Sequence, residues 1–223
     1  MQIQILPSVL AADFGQLAAE TQRAEAAGAD ALHLDIMDGH FVPNLTMGPD
    51  VVKVIRRAVR IPLSVHLMLE HPQDYIDVFC DAGADSLLIH VEAHVDPARA
   101  LETIRARGVR PGLTLNPRTP VAAAFPFLDA CEEVLFMSVQ PGYGGQAFMP
   151  RVITKIEALR AEVRRRGQAL DILVDGGIDT QTGPPCAAAG ANAFVAGTSL
   201  FRAPDMQVAI GELRRRLEAA FNL

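Results

Sequence analysis

Glycine recurs in this sequence where an amphipathic segment gives way to an apolar one, and this repeat constrains the fold most. The positions are Gly28, Gly83, Gly108, Gly167 and Gly190, with successive separations of 55, 25, 59 and 23 residues. A strand, a helix and their connections together take roughly 25–30 residues, so each separation is one or two such units. Glycine in the left-handed conformation commonly ends a helix. The spacing therefore predicts a chain of repeated strand–helix units.

Eight of these units fit the sequence, and their alternation indicates a parallel sheet. Strands are expected near residues 2–8, 31–37, 62–68, 85–91, 109–115, 133–139, 170–175 and 192–197. Helices are expected over residues 13–27, 48–59, 72–82, 96–107, 119–128, 150–166, 180–189 and 205–220, although Pro126 interrupts the fifth. The α/β class and this repeat favour a (β/α)8 TIM barrel, a single domain over residues 1–223 with its active site at the C-terminal strand ends. A doubly wound open sheet is the alternative, but no GxGxxG motif follows the first strand.

The composition excludes several classes of partner. A formal net charge of −6 argues against a general nucleic-acid binder, and no apolar run is long enough for a membrane span. Three widely spaced cysteines form no CxxC pair and are expected to be reduced thiols. The start MQIQILPS lacks the basic and apolar regions of a signal peptide. We therefore expect a cytoplasmic protein, and barrels of this kind commonly form homo-oligomers.

Four polar side chains occupy strand positions that point into the predicted barrel. In HLDIMDG, alternation places His33 and Asp35 on the face opposite Leu34 and Ile36. The same reasoning directs His66 and Asp175 inward. Unpaired buried charges cost several kcal/mol each. A divalent metal with imidazole and carboxylate ligands would compensate them.

Other residues near this level have expected supporting roles. Backbone amides in glycine-rich turns can bind a phosphate, and such turns follow the last three strands at residues 142–145, 175–177 and 196–199. His90 and Glu92 also alternate inward, and we expect them to support the metal ligands. Methionines are expected to fill the barrel interior, namely Met37, Met68 and Met137. Three histidines are expected in solvated loops, namely His40, His71 and His94.

Six stretches of the sequence resemble the ribulose-phosphate 3-epimerase family. They are LPSVLAADF (6–14), HLDIMDGHFVPNLTMGP (33–49), VHLMLEHP (65–72), MSVQPGYGGQAF (137–148), VDGGI (174–178) and AGTSLF (196–201). They follow the order of the family across nearly the whole chain. The resemblance implies interconversion of D-ribulose 5-phosphate and D-xylulose 5-phosphate by epimerisation at C3, a reaction of the pentose phosphate pathway.

The resemblance also implies a role for each matching residue. One divalent metal per subunit (zinc, iron(II), manganese or cobalt) would be held by His33, Asp35, His66 and Asp175. Asp35 and Asp175 would be the acid/base pair, and Ser8 and His66 would contact substrate. The phosphate and neighbouring hydroxyls would be bound by Gly142, Tyr143, Gly144, Gly145, Asp175, Gly176, Gly177, Gly197 and Thr198. The sequence departs from the family at Tyr143, where phenylalanine is frequent, and at Ser64, where aspartate is frequent.

The reaction itself requires residues of these types. Inversion of a carbon next to a ketone needs a proton removed from one face and returned to the other, through an enediolate that a Lewis acid stabilises. Three alternatives stay open at this point. A related ketohexose 6-phosphate could be the substrate, or the chain could be a sugar-phosphate-binding protein without activity. The third alternative is a barrel lyase that acts on a sugar phosphate without a lysine. Lysine-dependent lyases are disfavoured, because they need a lysine at a strand end and Lys53 and Lys155 lie on predicted helices.

Overall fold

A barrel of parallel strands forms the centre of the computed structural model, which describes residues 2–221. Within those residues eight strands, β1 to β8, pair in parallel in the order β1-β8-β7-β6-β5-β4-β3-β2. Directly after β1, an isolated parallel bridge joins Ser8 to His33 near the start of β2 and closes the ring. The predicted (β/α)8 TIM barrel is confirmed, while Met1, Asn222 and Leu223 of the predicted domain lie outside the described residues. The strands are Gln4–Pro7, Leu32–Met37, Leu63–Met68, Ser86–His90, Arg110–Leu115, Glu133–Met137, Asp171–Asp175 and Ala193–Ala196.

Helices surround the strands at most of the predicted places. Those labelled α1 to α8 are Leu17–Ala26, Pro49–Ala58, Ile76–Ala82, Pro97–Ala106, Val152–Arg166, Gly183–Ala188, Thr198–Phe201 and Met206–Phe221. The helices α2, α4, α5 and α8 match their predicted ranges closely. The predicted first and third helices begin later, because each is preceded by a 3-10 turn, Phe14–Gln16 and Pro72–Asp74.

The predicted helix over residues 119–128 is wrong. Two 3-10 segments, Val121–Ala123 and Phe125–Ala130, occupy this region. Pro126 has no backbone N–H to donate and its ring would clash with the preceding turn of an α-helix. The tighter 3-10 turns accommodate the proline at the start of the second segment. The short helix α7 directly after β8 is an addition that the sequence did not predict.

The two faces of the strands serve different layers, as the alternation predicted. Leu34, Ile36 and Val174 belong to the large hydrophobic layer between the strands and the helices. A smaller cluster that includes Leu135 and Leu173 fills the barrel interior. His33, Asp35 and His66 are buried, and their neighbours along each strand belong to the outer layer. The packed helices therefore hold these polar side chains in place from outside.

The structure agrees with the expectation of unpaired cysteines. Cys80, Cys131 and Cys186 are free, and burial raises the pKa of Cys131 and Cys186 to about 12. Neither of these two thiols is therefore poised to react. Among residues 2–221, no helix has the length and apolar character needed to cross a membrane.

Candidate active site

A cavity of about 970 Å³ opens at the C-terminal ends of the strands. Its wall combines the ends of β1, β2 and β7 with the loops after β6, β7 and β8. His33 and His66 lie beneath its floor and are fully buried. Met37, Met68 and Met137 are part of the lining. The other residues that the sequence predicted for the site all line it: Ser8, Asp35, Gly142, Tyr143, Gly144, Gly145, Asp175, Gly176, Gly177, Gly197 and Thr198.

The four predicted metal ligands converge at the floor of this cavity. One ligand atom from each of His33, Asp35, His66 and Asp175 lies within 4.8 Å of the others. The register of β2 and β3 places Asp35 opposite His66, and Asp35 Oδ1 lies 3.2 Å from His66 Nδ1. The same oxygen lies 3.5 Å from His33 Nε2. Two imidazoles and two carboxylates at this spacing form a donor set for a divalent transition metal.

The environment of His33 fits a cation at this position. Its Nδ1 lies 3.2 Å from Ser64 Oγ, while its buried Nε2 has no hydrogen-bond partner among residues 2–221. Buried polar atoms are almost always paired, so an unpaired Nε2 close to Asp35 and Asp175 fits a nitrogen that can ligate a cation. Burial works against the imidazolium, yet Asp35 and more weakly Asp175 raise the pKa of His33. A field that favours a proton here also favours a metal ion.

A line of hydrogen bonds behind His66 determines which of its two ring nitrogens carries the proton and which presents a lone pair to the site. Glu92 Oε2 lies 3.0 Å from His90 Nδ1, and His90 Nε2 lies 2.9 Å from His66 Nε2. Burial lowers the pKa of His90 below its usual value and that of His66 to about 3, so both rings are neutral. A carboxylate only accepts, so His90 donates from Nδ1 and accepts at Nε2. His66 must then donate from Nε2, which leaves the Nδ1 lone pair directed at Asp35 and the site.

Glu92 is itself held in place. Its Oε1 accepts hydrogen bonds from the Asn116 backbone N–H, at 2.8 Å, and from the Thr119 hydroxyl. Burial alone would raise the pKa of Glu92, but His90 and these donors lower it. The acid is therefore ionised at neutral pH. The prediction that His90 and Glu92 support the ligands agrees with this geometry.

The two aspartates have opposite electrostatic environments. Burial alone would raise the pKa of Asp35, but the adjacent His33 holds it well below its usual range. Its Oδ2 also accepts a hydrogen bond of 2.7 Å from Ser8 Oγ. Burial, followed by the charge of Asp35, raises the pKa of Asp175 to about 7. Paired carboxylates whose pKa values are driven apart are typical of acid/base partners.

The loops after β2 and β6 join above the cavity. Asn44 Nδ2 donates to the Gly142 carbonyl at 2.8 Å, and the Tyr143 hydroxyl donates to the Pro43 carbonyl at 2.9 Å. Phenylalanine, which is frequent at position 143 in the family, could not make the second bond. The tyrosine therefore adds a tie between the loops and removes nothing from the site.

Three glycines of the site differ in how closely protein atoms surround them. A Cβ on Gly176 would lie 2.6 Å from Val139 Cγ2, and one on Gly177 would lie 3.0 Å from the Phe148 nitrogen; both have positive φ, at +119° and +63°. Packing and backbone conformation therefore both require glycine at these two positions. Around Gly144, in contrast, a Cβ would meet nothing within 4 Å. Gly144 is free of such packing and faces open space.

Sequence reasoning assigned no role to several residues that line the cavity, among them Asn44 and Arg202. Asn44 lies within the stretch that resembles the family, and its position before a strand-like bridge gave no chemical signal. Arg202 follows α7 and brings a guanidinium to the wall formed by the loops after β7 and β8. The signal available in the sequence was an arginine beyond the last strand, since arginine is a residue type that forms charge-assisted hydrogen bonds with anions.

Comparison with known proteins identifies the family of this chain. A profile described as the ribulose-phosphate 3 epimerase family matches residues 4–201. The chain belongs to the ribulose-phosphate 3-epimerase family. It is 45% identical over 223 residues to the cytoplasmic isoform of ribulose-phosphate 3-epimerase from Oryza sativa subsp. japonica, covering 98% of this chain and 96% of that protein. It is 44% identical over 213 residues to ribulose-phosphate 3-epimerase from Bacillus subtilis, covering 95% and 98%.

Membership of this family makes the chain an epimerase that acts on a carbohydrate phosphate. Its lysines agree, because Lys53 on α2 and Lys155 on α5 both lie outside the lining of the active-site cavity. Lys155 Nζ instead donates to the Asn116 carbonyl at 2.8 Å.

Solved structures of lower identity share the barrel. KGPDC from Streptococcus mutans superposes with a TM-score of 0.73 at 14% identity, covering 99% of this chain and all of that one. A 3-hexulose-6-phosphate synthase superposes at 0.68 and 19% identity, covering 97% and 99%. At these identities the likeness concerns the fold alone.

Proposed function

We propose that this epimerase interconverts D-ribulose 5-phosphate and D-xylulose 5-phosphate at C3, with Asp35 and Asp175 as the acid/base pair. The observation that carries the proposal is the convergence of two carboxylates with opposed pKa shifts on one cavity floor. Asp35 is held ionised, which is the state of a base. Asp175, with a pKa raised to about 7, can carry a proton and deliver it.

The two carboxylates enter the cavity from different strands. Asp35 is on β2 and Asp175 ends β7, and β1 and β8 separate these strands in the ring. A planar enediolate between them would expose one face to each carboxylate. In the direction from ribulose 5-phosphate, Asp35 removes the C3 proton and Asp175 supplies one to the other face. In the reverse direction the roles exchange, as microscopic reversibility requires.

His33, Asp35, His66 and Asp175 would hold the divalent metal, with His90 and Glu92 fixing the tautomer of His66. When bound, such an ion acts as a Lewis acid toward the ketone and hydroxyl oxygens of the substrate. Zinc, iron(II), manganese and cobalt all suit two nitrogens and two carboxylates. Ser8 orients Asp35 through their 2.7 Å hydrogen bond and lies at the cavity wall, where it can also contact the sugar.

The phosphate would bind at the opposite wall. Gly142, Gly144 and Gly145 in the loop after β6 provide backbone amides without obstructing side chains. The loops after β7 and β8 add the remaining amides (Gly176, Gly177, Gly197 and Thr198), and Arg202 adds a positive charge. This arrangement anchors one end of a sugar phosphate and leaves its ketone end over the aspartates.

Steady-state kinetics on the metal-loaded enzyme test the proposal. Ribulose 5-phosphate, a ketohexose 6-phosphate and unphosphorylated ribulose are compared at matched concentrations in a coupled assay. We expect kcat/KM for the pentulose phosphate to exceed that for ribulose by at least about a hundredfold, because unused polar groups at the phosphate wall would stay unpaired. A higher kcat/KM for the hexulose phosphate would contradict the substrate assignment. Similar values with and without phosphate would contradict the phosphate wall.

A further inference from the structure

A second group of side chains with metal-ligating atom types lies outside the active site. Glu70, His71 and His94 each offer one ligand atom, and these atoms lie within 4.8 Å of one another. Glu70 and His71 follow β3, and His94 follows β4, at the same end of the barrel as the active site. None of the three lines the active-site cavity. We propose that Glu70, His71 and His94 form a separate surface site for a zinc-class divalent cation.

The distances between the side chains match a metal site. Glu70 Oε1 lies 3.4 Å from His94 Nδ1. Two ligands that each lie about 2.1 Å from a tetrahedral zinc ion are about 3.4 Å apart. The ring centroids of His71 and His94 are 5.5 Å apart, with 49° between their planes. The Glu70–His94 separation therefore already matches a pair of zinc ligands, and the His71 ligand atom lies within 4.8 Å of both.

Backbone contacts hold the three residues in this arrangement. The Glu70 N–H donates to Asp38 Oδ2 at 2.8 Å, and the Glu70 carbonyl accepts from the His94 N–H at 2.9 Å. His71 precedes Pro72, which disfavours the helical conformation for His71, and its φ is −124° with ψ at 70°. The loops after β3 and β4 are therefore tied directly to each other at the ligands. This fixed backbone reduces the entropy lost when a cation binds.

The chemistry of the donors selects the class of cation. Two imidazole nitrogens and one carboxylate oxygen are zinc ligands, whereas magnesium and calcium prefer oxygen alone. The His94 side chain is 69% exposed and that of Glu70 is 38% exposed, so a cation can enter and water can complete its coordination. Without a cation, this exposed contact between Glu70 and His94 contributes little to stability. The epimerisation proposed above makes no use of these residues, so this inference is independent of it.

Zinc titration of the chelator-stripped full chain tests this proposal. Bound zinc is measured by elemental analysis after desalting, and affinities by competition with a chromophoric chelator. We expect two equivalents per wild-type chain. The double variant His71→Ala/His94→Ala should lose one equivalent and keep the other. His33→Ala should lose the other and keep this one, and His40→Ala, an exposed loop histidine outside both groups, should keep both.

Two results would overturn the surface site. One is a double variant that binds as many equivalents as the wild type, with unchanged affinities. The other is a wild type that binds a single equivalent which His33→Ala abolishes. If instead the active site bound no zinc, the double variant would still lose its equivalent relative to the wild type. Failure of the active-site metal and failure of the surface site are therefore distinguishable.

Discussion

Glu92 sets the direction of every hydrogen bond in the line that ends at His66 Nδ1. The line contains two hydrogen bonds, from His90 to Glu92 and from His66 to His90. The second is fixed by the first, because a carboxylate can only accept. Backbone and hydroxyl donors from the next loop hold the far oxygen of Glu92. The proposed ligand lone pair on His66 thus depends on a residue two side chains away. Groups of this kind tune metal affinity in many proteins.

We expect Glu92→Gln to weaken metal binding by about tenfold or more while the barrel stays folded. The glutamine amide can donate as well as accept, so the proton positions on His90 and His66 are no longer determined. The dissociation constant of zinc at the active site is measured by chelator competition, in a background carrying His94→Ala to suppress the surface site. Glu102→Gln, an exposed change of the same kind on α4, is the control. Equal affinities in the two variants would contradict the relay.

The inward direction of the site side chains was predictable from the sequence where strand alternation applies. His33 and Asp35 share a face with period two, and the same rule directs His66 and Asp175 inward. Alternation says nothing of which ring nitrogen carries a proton, since that depends on contacts between β3, β4 and the following loops. Asn44 and Arg202 were missed because loop residues follow no period. Their positions result from how separate loops meet in three dimensions.

Among the elements, the loop after β2 braces the loop after β6, which forms part of the wall where we propose that the phosphate binds. Asn44 and Tyr143 tie one loop to the other across the cavity. Gln146 Nε2 donates to the carbonyls of Gln140 and Tyr143, at 2.6 and 2.8 Å, and so braces the β6 loop from within. A loop braced in this way presents its amides in a fixed arrangement, which favours anion binding.

Gly144→Val is expected to raise KM for ribulose 5-phosphate about tenfold or more with little loss of stability. A Cβ at this position meets no protein atom within 4 Å, so the branched side chain would occupy ligand space rather than strain the fold. The measurements are steady-state kinetics and the midpoint of urea unfolding. Gly211→Val on α8 is the matched control, because its Cβ also meets nothing within 4 Å. An unchanged KM for Gly144→Val would show that this loop does not approach the phosphate.

Element types were predictable from periodicity, and the failures have local causes. All eight strands were expected near their observed positions, since each is a short apolar run bounded by glycine or polar turns. The region 119–128 failed because hydrophobic spacing outweighed Pro126 in the prediction, whereas the missing N–H decides the structure. The helix α7 has four residues, Thr198–Phe201, which is too short for a helical period to show.

For the molecule as a whole, stability and the proposed metal site are largely separate. The outer hydrophobic layer is continuous among the strands and helices and contains none of the proposed ligands. A chain of this length buries roughly 70–75% of its unfolded surface and has no need of a metal to fold. The active site instead occupies the open end of the barrel, where the polar residues were concentrated in the sequence.

Removal of the metal is therefore expected to abolish epimerase activity while preserving the fold. Protein stripped by a chelator should keep nearly all of its far-UV circular dichroism, and activity should return when a divalent metal is added. Residual metal is measured in each sample. Full activity in protein shown to be free of metal would contradict the proposed role, and wholesale loss of helical signal would contradict the separation of site and core.

The most direct test of the account is proton exchange in Asp175→Asn. The metal-reloaded variant is incubated in deuterated water with ribulose 5-phosphate and, separately, with xylulose 5-phosphate. Asp35 still faces the C3 proton of ribulose 5-phosphate, so we predict slow exchange of that proton without epimerisation, and far less exchange from xylulose 5-phosphate. Metal occupancy is measured in the same samples, because Asp175 is also a proposed ligand. Equal exchange from both epimers at full occupancy would mean that one base serves both faces, and would contradict the two-carboxylate mechanism.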